Sequence, residues 1–66
     1  MQLIVNGSPR DVDNGRRLEE LVAEVSDRAS GIAVALNHSV VPRSEWPQTE
    51  LADGDRVDVV TAVQGG

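Results

Sequence analysis

The sequence contains no cysteine and no lysine, and one tryptophan is its only large aromatic side chain. Without thiols there is no disulfide, no thiolate zinc site and no iron–sulfur cluster. A single histidine, His38, cannot build a multi-histidine metal site. The absence of cysteine fits a reducing cytoplasm. All six basic residues are arginine, so the chain offers no internal ε-amine for conjugation to another copy of itself. No apolar run approaches the roughly 20 residues of a membrane-spanning helix. Met1 leads straight into a strand pattern, without the basic opening of a signal peptide. Neither GxGxxG nor GxxxxGKS occurs, which excludes the common glycine-rich phosphate loops. The net charge of −5 argues against nucleic acid, whose phosphates reward clustered Lys and Arg. An acidic surface of this size serves solubility, or steers the chain to basic partners.

What is present must fit in 66 residues, enough for one domain. A chain of this length buries only about 60% of its unfolded surface, so the core is small. Val, Leu, Ile and Trp46 have to supply it. Gln2-Leu3-Ile4-Val5 is apolar and β-branched, and Asn6-Gly7 after it is the preferred pair for a tight hairpin turn. The return strand is expected over 9–12, with Pro9 at an edge. Asp13-Asn14-Gly15 reads as loop, with Asn14 as helix cap. Leu18, Leu21, Val22 and Val25 recur at i, i+3, i+4 and i+7, which predicts one amphipathic helix over 16–25. Ile32-Ala33-Val34-Ala35-Leu36 predicts a third strand and Val40-Val41 a brief fourth, stopped by Pro42. Ser44-Glu45-Trp46-Pro47 reads as one helical turn, onto whose domain Trp46 anchors it. Leu51 helps close the core before the turn Asp53-Gly54-Asp55, and the last strand is expected over 56–63.

A hairpin, one helix and later strands give an α+β fold: a mixed sheet of four to five strands on one main helix. Alternation assigns the faces. Leu3, Val5, Val34, Leu36, Val57 and Val59 should point to the helix. Ile4, Val60 and Ala62 should point outward, beside the chain's end if the first and last strands are neighbours. A contiguous apolar group there suggests a partner surface. The domain is expected over 1–63, followed by a flexible tail over 64–66. Gly65-Gly66 suits a tail that threads bare backbone into a narrow channel, with the Gly66 carboxylate as its reactive group. The plainer alternative is a frayed end.

Other constellations carry less. Asp11 and Asp13 resemble the start of a calcium loop, but Gly15 falls one place early and Val22 stands where a bidentate Glu belongs. Asp53 and Asp55 are good turn chemistry. His38 with Ser39 or Ser44 lacks the pocket, orienting carboxylate and oxyanion hole that a triad needs. The chain is therefore expected to take part in chemistry as a substrate, with no metal.

The segment Asn37-His38-Ser39-Val40-Val41-Pro42-Arg43-Ser44-Glu45-Trp46 resembles the Asn-x-x-(Ile/Val)-Val-Pro-Arg-x-x-Trp stretch of the sulfur carrier proteins of thiamine biosynthesis, the ThiS family. Asp53-Gly54-Asp55 before the last strand and the diglycine end fit the same pattern, and length and element order match throughout. The resemblance implies a ubiquitin-like β-grasp fold, with the first and last strands paired in parallel at the centre. It implies that an E1-like adenylyltransferase (ThiF type) uses ATP to adenylate the Gly66 carboxylate. A sulfur donor such as a cysteine desulfurase then converts it to a thiocarboxylate, and thiazole synthase (ThiG type) receives the sulfur. Gly65 would keep the thread thin. Ile4, Val60, Ala62 and Gln64 would meet partners. No cofactor would be bound, and the free chain would be a cytoplasmic monomer that does not meet membranes. Other readings stay open: a β-grasp carrier for molybdopterin, tRNA thiolation or cysteine synthesis, a protein modifier linked through Gly66, or a binding module needing no activation.

Overall fold

The computed structural model describes residues 1–26 and 31–61. β1 (Gln2–Val5) and β2 (Ser8–Asp11) form an antiparallel hairpin in which Gln2 stands opposite Asp11 and Val5 opposite Ser8. Asn6 and Gly7 both take positive φ, 50° and 84°, as the twist-matched two-residue turn requires. Helix α1 spans Leu18–Val25. β3 (Ile32–Leu36) and β4 (Ser39–Val40) make a second hairpin, and a 3-10 helix over Arg43–Gln48 leads on towards β5 (Arg56–Thr61).

The strand order is β2-β1-β5-β3-β4. β5 lies in the middle, parallel to β1 and antiparallel to β3. This is the β-grasp arrangement, a mixed sheet of five strands curled over one helix. The core joins Leu3 and Val5 of β1, Val34 of β3 and Val57 of β5 to Leu18, Leu21 and Val22 of the helix. Leu36 and Val59 face the same way and pack against it half-buried. Trp46 closes one side, buried, with its Nε1–H donating to Val41 O at 2.9 Å. The lone indole thus spends its donor inside the domain and anchors the 3-10 helix. Val12 and Leu51 complete the core.

The helix starts later than the apolar spacing predicts. Arg17 is extended, because this stretch pairs with the segment before β5. Arg17 and Glu50 form an antiparallel bridge, Leu18 N–H donates to Thr49 O at 2.9 Å, and Leu51 N–H donates to Arg16 O at 3.3 Å. Arg17, not Asn14, occupies the capping position, and its N–H is taken by Glu20 Oε1 at 2.9 Å. Long-range pairing has overridden local propensity there. The return strand begins at Ser8 and the fourth strand at Ser39, one residue earlier than expected in each case. Glu24 receives Arg10 from β2 and Arg16 from the loop, an ion-pair network that clips the helix to the first hairpin. The expected boundary between 63 and 64 lies outside the described residues. Among the described residues, no helix is long and apolar enough to cross a membrane.

Candidate functional site: the central strand and its exit

β5 is the strand that runs towards Gly65-Gly66, so what holds it decides how that end is presented. Its start is tied from several sides. The Asp53-Gly54-Asp55 turn needs Gly54 at φ 90°, and Gly54 N–H donates to Gln2 O at 2.7 Å. Asp53 Oδ1 accepts from Gln2 N–H at 2.6 Å and Asp55 Oδ2 from Ala52 N–H at 2.8 Å. Both aspartates are therefore occupied as turn residues. Asn37 Nδ2–H donates to Asp55 Oδ1 at 3.0 Å, while Asn37 Oδ1 accepts from Arg56 N–H at 2.9 Å.

Asn37 and His38 form the turn between β3 and β4, with φ 51° and 71°. Each hairpin turn thus opens on an asparagine whose side chain reaches across to β5. Asn37 holds the backbone at Arg56, and Asn6 Oδ1 accepts from Val59 N–H at 2.7 Å. Asparagine suits both duties, because it tolerates the left-handed region and brings its own amide. His38 is exposed, and no group of three or more His, Cys, Asp or Glu able to hold a metal occurs among the described residues.

The register sorts the outer face of the sheet. Ile4 stands opposite Arg56 of β5 and Pro9 of β2. Val60 stands opposite Ala33, and Val40 opposite Ala35. Ile4 and Val60 share this face but not a neighbourhood: Arg56 to Val60 is four steps along β5, about 13 Å of strand. Arg56 and Asp58, ion-paired at 3.2 Å, lie on that face between them. Ile4 is thus at the start of β5 rather than beside its end, contrary to the placement expected from the sequence. The parallel register and the early Asn6-Gly7 turn cause this. Among the described residues, the outer-face apolar pair at the end of β5 is Val60, 59% exposed, with Ala33; Val40, 75% exposed, stands on β4 opposite Ala35, level with Asp58. Val40 was not among the expected partner residues, although its alternation in the second hairpin points to this face. Ala62, Gln64, Gly65 and Gly66 lie outside the described residues.

The 3-10 helix of the Val41-Pro42-Arg43 segment sits on the core through Trp46, with the Arg43 guanidinium 6.0 Å from the indole centroid. That segment therefore serves packing with its Trp, while Arg43 itself is exposed.

A five-stranded sheet over one helix, with a central parallel pair leading to a diglycine, defines the ubiquitin-like β-grasp class. Comparison with known proteins narrows the class. The sequence profile of the ThiS family matches residues 3–66. The sulfur carrier protein ThiS of Escherichia coli (strain K12) is 32% identical over 66 residues, all of both chains. A crystal structure of the thiamine biosynthesis protein ThiS from Geobacter metallireducens superposes with a TM-score of 0.87 at 33% identity, again covering both chains completely. A thiazole synthase of Paramagnetospirillum magneticum (strain ATCC 700264 / AMB-1) is 32% identical across this whole chain, which corresponds to 20% of that protein. The chain belongs to the ThiS family.

Proposed function

We infer that this protein is the sulfur carrier of thiazole formation in thiamine biosynthesis, acting as a protein co-substrate rather than an enzyme. The observation that carries the reading is the family match over 3–66, which takes in Gly65 and Gly66 as well as the domain. The likeness to a stretch of a thiazole synthase favours the thiamine branch over other sulfur-transfer pathways, and supports a synthase of that kind as the sulfur acceptor.

The chemistry follows from the carboxylate. An α-carboxyl has a pKa near 3.5, so at neutral pH Gly66 ends in a resonance-stabilised anion that nucleophiles do not attack. An E1-like adenylyltransferase transfers AMP from ATP to that carboxylate and releases pyrophosphate. A desulfurase-type donor carries the sulfur as a persulfide; its terminal sulfur displaces AMP to give an acyl disulfide, and a thiol reductant cleaves that S–S bond to leave the thiocarboxylate. The carrier then holds a nucleophilic sulfur without free sulfide. ATP belongs to the activating enzyme, and the carrier itself binds no cofactor. Residues 64–66, when extended, reach roughly 10 Å, enough to place Gly66 in a recessed nucleotide site while the domain stays outside. A cytoplasmic setting, where these reactants occur, completes the proposal.

The test is reconstitution. Thiazole synthase of the same organism should form product only when supplied with this chain after treatment with adenylyltransferase, ATP and sulfur donor. Equal product from untreated chain, or from another pathway's carrier, would remove the assignment.

A further inference from the structure

Glycine follows Asn or Asp at three places: Asn6-Gly7, Asn14-Gly15 and Asp53-Gly54. At such a pair the glycine nitrogen is unshielded, and the backbone is free to bring it onto the side-chain carbonyl carbon before it. By sequence alone the two Asn-Gly pairs are equivalent. The structure separates them.

Asn6 is held from both ends. Its Oδ1 accepts from Val59 N–H at 2.7 Å and its own N–H donates to Val57 O at 2.9 Å, so the side-chain amide is committed to β5. At Asp53-Gly54 both reacting groups are engaged. Asp53 Oδ1 accepts from Gln2 N–H at 2.6 Å, and Gly54 N–H donates to Gln2 O at 2.7 Å. Asn14-Gly15 has neither restraint. Both residues are exposed, and among the described residues nothing bonds the Asn14 amide or Gly15 N–H. Arg17 occupies the capping position expected of Asn14, which leaves that amide without a structural duty. The pair forms the corners of the turn from Asp13 to Arg16, closed by one bond of 3.3 Å, with Gly15 at φ 85°. A Cβ on Gly15 would meet nothing within 4 Å, so the turn has room to rearrange.

We propose that Asn14-Gly15 is a site of spontaneous deamidation, and that the fold suppresses the same reaction at Asn6-Gly7. Gly15 N attacks Asn14 Cγ; the new C–N bond forms, the Cγ–Nδ2 bond breaks, and ammonia leaves with the proton from Gly15. Water then opens the cyclic imide. Cleavage of the bond from nitrogen to Cγ gives aspartate. Cleavage of the bond from nitrogen to the former backbone carbonyl gives isoaspartate, whose main chain runs through Cβ and Cγ. The reaction consumes one water and needs no oxidant, metal or enzyme. Either product adds a negative charge beside Asp13 and Arg16, where Arg16 already joins Asp13 to Glu24. Isoaspartate also lengthens the turn just before Arg16, whose C=O accepts from Leu51 N–H. At Asn6 the same lengthening would displace the amide that ties Val59.

The test is incubation of the full chain at mildly alkaline pH, folded and in guanidinium chloride, followed by tryptic mapping. Cleavage after Arg10 and Arg16 puts Asn6 in peptide 1–10 and Asn14 in peptide 11–16. In the folded chain the acid forms of peptide 11–16 should accumulate at least about tenfold faster than those of 1–10, the factor that one well-made hydrogen bond supplies. In the unfolded chain the two rates should converge. Asn14→Ser should hold the folded chain in one charge form over the same period. Equal rates in the folded chain, faster conversion at Asn6, or no conversion at Asn14 would overturn the proposal. So would a rate difference that persists after unfolding, or an Asn14→Ser chain that acidifies as fast as the native one.

Discussion

At its start, β5 lies between β1 and β3, and the side chains of Asn37, Asp53 and Asp55 all bond backbone within or beside it. Val57 is fully buried there, and Arg56 and Asp58 are paired with each other. At its described end, the same strand has one neighbour among the described residues, β3, and shows an exposed valine with no charged residue over 59–61. The difference separates two tasks within one strand. The first half fixes β5 to the domain, and Asn6 supplies the last tie at Val59 before β1 turns away. A carrier whose reactive atom lies past the last strand needs this polarity: a rigid root and an unguarded exit.

The comparison breaks most sharply at the diglycine. Removing Gly65-Gly66 should abolish sulfur loading yet leave the denaturation midpoint unchanged, since two glycines bring no side chain to the core. Gly66→Ala or Gly65→Ala should slow activation by about 10²-fold, as small misplacements at a reacting centre do, again with folding nearly unchanged. Single-turnover adenylation and chemical denaturation measure the two halves of that statement.

Effects on stability should grade along the strand. Val57→Ala empties a fully buried position and should cost about 2–3 kcal/mol by equilibrium denaturation. Asn37→Ala loses the bond to Arg56 and places Cβ-bearing alanine in the left-handed region, for about 1–2 kcal/mol. Asn6→Gly keeps the turn but removes the amide from Val59, which should cost about 0.5–1.5 kcal/mol and speed exchange of the Val59 amide. Val60→Ser should shift stability by no more than about 0.5 kcal/mol while weakening docking to the activating enzyme. A Val60 variant as unstable as the Val57 one would erase the proposed division of the strand.

Much of the fold was legible because periodicity is a local signal. The helix stripe Leu18, Leu21, Val22 and Val25, the strand 32–36 and the Asn6-Gly7 turn all lie where their spacing places them. Alternation likewise put Leu3, Val5, Val34 and Val57 in the core. The central parallel pair came from family resemblance, since no local pattern encodes which strands meet. Two further features depend on contacts distant in sequence. The helix begins at Leu18 because residues 16 and 17 pair with 49–51, some thirty residues on. Ile4 sits away from the exit because the β1–β5 register, which alternation cannot supply, sets it against Arg56. The two asparagine side chains bonded to β5 were also hidden: sequence marks them as turn residues but not as ties to a third strand.

Intact-mass spectrometry of the chain after incubation with ATP, a sulfur donor and the adenylyltransferase tests the carrier claim most directly. The account predicts a gain equal to one oxygen replaced by sulfur, confined to the fragment ending in Gly66 and absent when Gly65-Gly66 is removed. An unchanged mass in the presence of a demonstrably active adenylyltransferase would contradict it.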